Sequence, residues 1–516
     1  MPNRSADSVF LLVKSLEKSE KRNFKLYVKR NSATANLKVI QLFDALEKME
    51  NYDEALLLRK NKALKKAQLS NLKAHLYKLL LSSLRLLRHE DNITLQLNEL
   101  MDFARVLYNK GLYLQSLRQL EKAREMALAH QQVTYQQQIL FFEKKIESLY
   151  ITRSMQDRAD ALTTESEAVH EKLSLISRLS DLSLQLYSWY IRNGVARNRN
   201  DATEVKTFFD THLPAGAVRV RGFYEQLYLY QSYCWYAFIR QDFLQYYRYA
   251  QKWVDLFTEY PAMLEVETAH YIKGMHNLMG AHFDLQKAAR LAPAIDAFEQ
   301  FARRKVVQQN DNYRILCFQY LSMAKINLHF LEGTFTEGLR LVPHLEEQLE
   351  QYEPYLDRHR VLVFYYKIAC LYFGTGRNEK AIHYLNKIIH WKMDLRTDLQ
   401  CYARLLHLIA HYELGNYDLL EYLIKSVYRY MAKMENLSAV EEEMFRFLRQ
   451  SFSVSPQELK PAFRQLLQRI RRYEGNRFET RAFVYLDIIS WLESKISDVD
   501  VQAVIREKYE RKKEKT

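Results

Sequence analysis

The stretch Tyr365–Ile389 constrains the fold of this chain more than any other, because it specifies two helices joined by a glycine turn. Its first half surrounds the small residue Ala369 with large apolar side chains, which lets a second helix approach closely. Gly376 lies where the first helix must end, and glycine adopts the left-handed conformation that ends helices without a Cβ penalty. Apolar residues then recur at helical spacing and form one face of the second helix: Ala381, Ile382, Leu385, Ile388 and Ile389.

Residue usage extends this helical prediction to the whole chain. Only 12 Gly and 8 Pro occur in 516 residues, and the Val-, Ile- and Thr-rich alternation typical of strands is absent. We therefore expect an all-α protein, with 48% hydrophobic residues to build its core. No apolar run approaches the roughly 20 residues of a membrane span, and Val9–Val13 is too short for the core of a signal peptide. The sequence therefore predicts a soluble, cytoplasmic protein.

Weaker copies of the opening pattern occur on both sides of it. Gly333 and Gly415 mark turns 43 residues before and 39 residues after the glycine of the opening stretch. A further copy turns at Gly111, between the small residues Ala104 and Ala123. We expect less regular helix pairs at residues 135–150 with 157–173, 179–192 with 202–213, 224–257 and 266–301.

The order of a large residue, a small residue, a turn glycine and a second small residue resembles the tetratricopeptide-repeat superfamily, over roughly residues 94–430. The slots of the best copy hold Tyr365, Ala369, Gly376 and Ala381. The resemblance implies a right-handed α-solenoid of antiparallel helical hairpins, with a period of about 40 residues and helical caps at both ends. The expected divisions are a basic helical region, the solenoid, and capping helices with a basic tail, at residues 1–90, 91–435 and 436–516. The chain is also similar to long helical-repeat proteins common in Bacteroidota, a likeness that implies no activity.

In tetratricopeptide proteins the first helix of each pair lines a concave groove that accepts a peptide or a helix. Carried over slot by slot, the resemblance places seven aromatic residues on this wall: Tyr228, Trp235, Phe238, Tyr366, Phe373, Tyr402 and Tyr412. Aromatic side chains offer a large contact area at low entropic cost. This favours a non-enzymatic scaffold or adaptor that binds a protein or peptide partner. The alternative is that these rings pack against neighbouring helices.

The first 90 residues carry most of the positive charge, +10 of the net +14. If Asp7–Lys29 formed one helix, its cations would make a single stripe, and a second basic group follows. The candidate cations are Lys14, Lys18, Arg22, Lys25, Lys29, Lys62, Lys66 and Lys73. They form either a solvated face or the phosphate-binding surface of a nucleic-acid-associated regulator whose repeats sense a partner. In the second case Leu69–Leu79, capped by Ser70, would be a recognition helix; a long packing helix is the alternative.

The C-terminal segment departs from the repeat pattern. Ser438 and Glu441 have the spacing of a capping box, which predicts a helix start. Pro456 and Pro461 lie five residues apart, so we expect the helix there to restart or kink. The basic residues 511–516 are expected to form a solvated tail.

Motifs for chemistry are missing from the sequence. We find no nucleotide-binding glycine loop, nucleophile elbow or paired-cysteine zinc site. His407 and His411, one helical turn apart, could share a metal, but they occupy packing slots, which favours structural histidines. The cysteines are scattered singly, as small buried hydrophobes are: Cys234, Cys317, Cys370 and Cys401. We therefore expect no catalytic residue, metal, cofactor, small-molecule substrate or membrane contact.

Overall fold

The computed structural model describes residues 7–30, 36–61, 63–90, 92–149, 156–217, 221–391, 397–434, 437–451, 456–479 and 487–514. Regular structure within these ranges is helical throughout, without a β-strand, which confirms the all-α prediction. None of the helices in these ranges is long and apolar enough to cross a membrane. The chain forms two compact units, Met1–Val169 and His170–Thr516.

The first unit contains two apolar cores. Its helices are α1 Ser8–Ser15, α2 Lys18–Arg30, α3 Asn36–Lys48, α4 Glu54–Lys60, α5 Lys66–Leu87, α6 Ile93–Asn109, α7 Tyr113–Ala129 and α8 Val133–Leu149. Helices α1 to α5 enclose one core around the rings of Phe24 and Phe43, whose centroids lie 4.9 Å apart. Helices α6 to α8 enclose the other, around Leu97, Leu120 and Ile139. The predicted packing of small residues holds here, since the Ser116 hydroxyl donates to the Ala104 carbonyl oxygen at 2.8 Å.

Helix α9, Gln156–Asn193, begins in the first unit and ends in the second. The expectation of separate helices at residues 157–173 and 179–192 is wrong. The segment contains neither Gly nor Pro, so nothing in its local chemistry ends a helix before Gly194. Gly194, with a φ of 76°, follows the helix and lies between residues 192 and 202, where the predicted helix pair requires a turn.

The second unit continues the series of helices. They are α10 Arg199–His212, α11 Phe223–Ile239, α12 Phe243–Glu259, α13 Met263–Val266, α14 Thr268–Asp284, α15 Ala288–Ala302, α16 Lys305–Gln308, α17 Asp311–Glu332, α18 Phe335–Gly338, α19 Val342–Gln351, α20 Arg358–Gly374, α21 Asn378–Ile389, α22 Thr397–Glu413, α23 Tyr417–Lys433, α24 Ala439–Gln450, α25 Pro456–Arg471, α26 Ile488–Ser497 and α27 Val501–Glu514. Most of these helices pack against neighbours close in the chain. One apolar core runs from α11 to α17, and another from α17 to α26.

A repeated turn joins the paired helices. In each of these turns one residue has a positive φ. These left-handed residues are Gly111, Gln131, Gln241, Gln286, Gly333, Gly376 and Gly415. In most of these turns the amide of the left-handed residue donates to the carbonyl oxygen three residues earlier, and the amide of the next residue donates to the carbonyl oxygen five residues earlier. At Gly376, for example, the two accepting carbonyls belong to Phe373 and Tyr372. These are the two hydrogen bonds of the Schellman motif. The glycine turns confirm the sequence prediction. The turns at Gln241 and Gln286 lie within the predicted helix pairs 224–257 and 266–301, next to the turns expected at residues 242–243 and 281–285, but no glutamine was predicted as the left-handed residue.

Both ends of the chain differ in part from expectation. The backbone leaves the helical conformation at Leu16, so residues 7–29 form two helices and Lys14 is separated from the other cations. Ser70 lies inside α5 and caps nothing, because that helix begins at Lys66. At the other end the capping box of Ser438 and Glu441 is confirmed, with both of its hydrogen bonds.

Residues 511–514 of the expected tail are exposed, as predicted, but they are helical and form the end of α27; residues 515 and 516 lie outside the described residues. The earlier part of α27 packs on the turn after α17. A Cβ placed on Gly333 would lie 2.4 Å from the backbone nitrogen of Arg506. The Gln502 side-chain oxygen accepts from the Thr336 amide at 3.2 Å and from its hydroxyl at 2.9 Å. Lys512 donates to the Gln286 side chain at 2.8 Å. Helix α27 therefore contacts two of the turns described above.

Candidate functional site

Four of the seven aromatic residues predicted to line a groove lie inside the core. Tyr366, Phe373, Tyr402 and Tyr412 are only 2%, 4%, 6% and 7% exposed. The Tyr412 ring, for example, packs among rings of the C-terminal helices at 6.4 Å centroid distances, against Phe447, Phe463 and Trp491. These side chains cannot reach a partner in this structure, so the prediction is corrected at these four positions, where the rings serve packing.

The other three predicted residues, on α11, keep part of their surface exposed. The Trp235 ring contacts Tyr187 and Tyr190 of α9 at centroid distances of 5.1 and 5.4 Å. Phe238 adjoins Tyr190 at 5.5 Å, and Tyr228 meets the His270 ring of α14 at 6.0 Å. Of the predicted groove residues, only the three on α11 are therefore still available to a partner.

Beside Trp235 the structure brings together cations and rings from four helices. We call this set the cation–aromatic row: Trp235 of α11, Lys273 and His276 of α14, Tyr320 of α17, and Arg360 of α20. The Lys273 ammonium lies 5.8 Å from the Trp235 ring and 5.6 Å from the Tyr320 ring. The Arg360 guanidinium lies 5.3 Å from the same Tyr320 ring. Both cations thus face one aromatic ring at cation–π distance.

The Tyr320 ring also stacks on a histidine. The ring of His276 stacks on it at 3.9 Å and 13°. Burial, and then the charges of Lys273 and Arg360, lower the pKa of His276 well below its ordinary value. The imidazole is therefore neutral at pH 7 and acts as an aromatic support for Tyr320.

The Lys273 ammonium is a half-buried cation without an acidic partner. Burial, and then the nearby charge of Arg360, lower its pKa to about 8. Within the described ranges no hydrogen bond or ion pair reaches its Nζ atom. Arg360 differs, because its Nε donates to the Asp357 carboxylate at 2.9 Å. The row therefore carries a positive charge that the described part of the protein leaves uncompensated.

A second buried cation lies further along α20. The Lys367 ammonium donates to the Asn327 side-chain oxygen and lies 5.4 and 5.2 Å from the rings of Phe283 and Phe330. Burial lowers its pKa to about 8, and burial raises the pKa of the nearby Asp284 to about 7. Lys367 follows Arg360 by seven residues, two helical turns, so the two positions share a face of α20 about 10 Å apart.

The predicted basic surface of the first unit is partly used for packing. Lys73 pairs with Asp7 at 2.7 Å and donates to the Tyr52 hydroxyl, so its assignment to nucleic acid is corrected. Lys25 pairs with Asp44 at 2.8 Å, and Lys14 donates to a backbone carbonyl. The predicted cations that stay exposed are Lys14 on α1, Lys18, Arg22 and Lys29 on α2, and Lys66 at the start of α5; Lys62 lies outside the described residues.

The histidines and cysteines are buried to different degrees. His407 and His411 have ring centroids 4.5 Å apart, and burial lowers the pKa of His407 to about 4. All four cysteines are buried free thiols. Among the residues that the structure describes, no group of three or more His, Cys, Asp or Glu side chains has the arrangement of a metal site.

The sequence argument missed the row because it placed a turn near residues 281–285 without recognising Gln286 as the left-handed residue that sets the register of the helix pair. Three left-handed residues, Gln241, Gln286 and Gly333, define equivalent positions in successive helix pairs. The position thirteen residues before each of them is Tyr228, Lys273 and Tyr320, respectively. Recognition of Gln286 as a turn would have placed Lys273 beside the aromatic candidates. No family model, curated protein or solved structure matches the chain, so fold and geometry carry the functional argument.

Proposed function

We propose that the chain is a non-enzymatic scaffold or adaptor that binds a peptide or helical segment of a protein partner along the cation–aromatic row. The architecture proposed with it is a tetratricopeptide-like, right-handed α-solenoid of antiparallel helical hairpins. The repeated turns support this architecture, since the five left-handed turn residues from Gln241 to Gly415 follow one another at 39 to 47 residues. An aromatic residue stands three positions before each of these five: Phe238, Phe283, Phe330, Phe373 and Tyr412.

The observation that carries the function is the convergence of the row from four helices. Trp235, Lys273, Tyr320 and Arg360 come from α11, α14, α17 and α20 and contact one another through ring faces. Protein-binding hot spots are enriched in Trp, Tyr and Arg. The Tyr320 ring is buried, at 3% exposure, and supports the two cations, whereas Trp235, Lys273 and Arg360 keep part of their surface exposed. A surface of a partly exposed ring and two cations on rigid helices suits a peptide or helix better than a small molecule.

The test is the selection of peptides from a displayed library of random 16-residue sequences on the full-length chain. We expect enriched peptides to lose at least tenfold in affinity for Trp235→Ala and for Arg360→Ala, which remove partly exposed side chains of the row. The matched control is Tyr422→Ala, which removes a 69% exposed tyrosine outside the row. The proposal fails if no peptide is enriched, or if all three variants retain wild-type affinity.

The exposed face of α2 favours a second candidate function, that of a nucleic-acid-associated regulatory protein. Lys18, Arg22 and Lys29 recur at helical spacing and line an open depression of about 380 Å³ together with Lys21 and Lys25. Cations so spaced can follow phosphates along a backbone.

Duplex DNA binding by the full chain tests this second candidate. The triple substitution of Lys18, Arg22 and Lys29 by Gln should weaken binding and flatten its dependence on salt. The control is Arg118→Gln with Lys122→Gln, an exposed basic pair on α7. Equal affinities of the two variants would remove this function.

A further inference from the structure

Resting on the proposed function, we infer that the cation–aromatic row recognises an acidic peptide segment, with one carboxylate seated between Lys273 and Arg360 and a second at Lys367. The inference concerns the chemistry of the partner. It follows from which charges in the row are compensated and which are not.

The first position is defined by two cations over one ring. Lys273 and Arg360 lie 5.6 and 5.3 Å from the Tyr320 centroid, and the Arg360 guanidinium is 3.4 Å from the Tyr320 hydroxyl. Two like charges held together in a partly desolvated place repel each other. An anion between them relieves this repulsion and gives Lys273 the partner that it lacks among the described residues. Since Arg360 already pairs with the exposed Asp357, Lys273 gains more from such an anion.

The second position is weaker and sets the spacing. Lys367 has the Asn327 oxygen as an acceptor and Asp284 as a nearby acid, so its charge is partly compensated. Like Lys273 it is half-buried, and it lies two turns along α20 from Arg360. Two acidic side chains about 10 Å apart can engage both positions, a separation that a helix provides over two turns and an extended chain over three residues.

The surroundings favour discrete carboxylates over a phosphate backbone. Acidic groups already lie near two of these cations, with Asp357 paired with Arg360 at 2.9 Å and Asp284 near Lys367. Residues 91–516 have a net charge of only +4, against +10 for residues 1–90. A continuous polyanion would approach these carboxylates, whereas a peptide can place its acids only where the cations are.

The test uses the same 16-residue displayed library, now read for composition, on wild type, Lys273→Met, Lys273→Arg and Lys387→Met. Methionine keeps the apolar length of the lysine stem and removes its charge. Lys387 is the matched control, because its ammonium also lies over two rings, Tyr365 and Tyr384 at 5.0 and 4.8 Å, but on α21 outside the row.

We expect wild type and Lys387→Met to enrich peptides with paired Asp or Glu, Lys273→Met to bind them at least tenfold more weakly, and Lys273→Arg to restore most of the affinity. Glu→Gln substitution in the strongest peptide should cause a loss of similar size. The inference is overturned, and the proposed function kept, if enriched peptides carry no acidic bias or bind Lys273→Met as well as wild type. It is also overturned if a 20-residue oligothymidylate binds in a Lys273-dependent way and acidic peptides do not. If no peptide is enriched at all, the proposed function falls with it.

Discussion

The unusual residue of the site is Lys273. Its ammonium lies near two aromatic rings and has no acidic partner among the described residues. Placing a charge in a partly desolvated site costs free energy unless it is paired. Natural proteins keep such destabilising groups where function needs them, and replacement of the group then stabilises the fold. The stability of Lys273 variants therefore reports on the same property as their binding.

Lys273→Met should raise the free energy of unfolding at pH 7 by on the order of 1–3 kcal/mol, a range that allows for partial solvent screening. The folded pKa of about 8 lies below the ordinary value, so the folded state loses its proton first as pH rises. Wild-type stability therefore increases from pH 8 to about 10.5, and the advantage of the variant shrinks across that window. Urea unfolding at pH 7 and 9.5 measures this, with Lys387→Met as the control. Equal stability of variant and wild type at pH 7 would contradict it.

His407 should make the protein sensitive to acid. Its folded pKa of about 4 lies below the ordinary value near 6.5. The unfolded state therefore binds the proton first, and stability falls as pH drops from 6.5 to 4. His407→Leu is expected to remove about 1–3 kcal/mol of this loss. The loss is lessened and not abolished, because burial also lowers the pKa of His270, His276, His282 and His329.

The measurement compares the free energies of unfolding at pH 7 and pH 4.5 for wild type and His407→Leu. His344→Leu is the control, since that side chain is 69% exposed. A stability difference between the two pH values that is the same in all three proteins would show that His407 does not titrate in the folded state as expected.

At the scale of elements, the turn after α17 is constrained both by its left-handed conformation and by its packing against the distant helix α27. Gly333 and Gly376 have nearly equal φ angles, 67° and 72°. A Cβ on Gly376 would meet no atom within 4 Å, whereas one on Gly333 would collide with the backbone of α27. The two glycines separate the conformational penalty of a side chain from its steric penalty.

Gly376→Ala should cost about 1 kcal/mol for the left-handed conformation alone. Gly333→Ala should cost at least 2–3 kcal/mol more, because α27 has to shift away from the turn. In a chain ending at Asp500 the excess should disappear, and both substitutions should cost the same. Thermal unfolding of the four variants measures this, and an excess that survives the truncation would mean that α27 is not its cause.

The helix pairs could be predicted because glycine, alanine and apolar spacing act locally. The left-handed conformation of Gln131, Gln241 and Gln286 could not be predicted, because glutamine is an ordinary helix residue. The hydrogen bonds of the Schellman motif hold these three residues in that conformation. The burial of Tyr412 was equally hidden, since the Trp491 ring that packs on it comes from 79 residues further along the chain. For the same reason only part of the site could be predicted. Trp235 was predicted from its position in the repeat, whereas its proximity to Lys273 and Arg360 depends on how α11, α14, α17 and α20 pack.

For the whole molecule, the two compact units imply that damage to one core need not reach the other. In the first unit Arg124 of α7 binds two carboxylates, Glu143 of α8 and Glu165 in the first part of α9. Glu143 is only 1% exposed and has a second, longer contact with Arg158 at 3.5 Å. This network ties three helices of the first unit through one guanidinium.

Arg124→Met should destabilise the first unit by about 3–5 kcal/mol, because it leaves the buried Glu143 carboxylate with one distant cation. We expect faster amide hydrogen exchange in α7, α8 and residues 156–169, and unchanged exchange in α14, α17 and α20. Arg118→Met, an exposed arginine on the same helix, should change neither set. Acceleration in α14, α17 and α20 equal to that in α7 and α8 would show that the two units unfold as one. Peptide binding by Arg124→Met should stay at the wild-type level, because every residue of the cation–aromatic row belongs to the second unit.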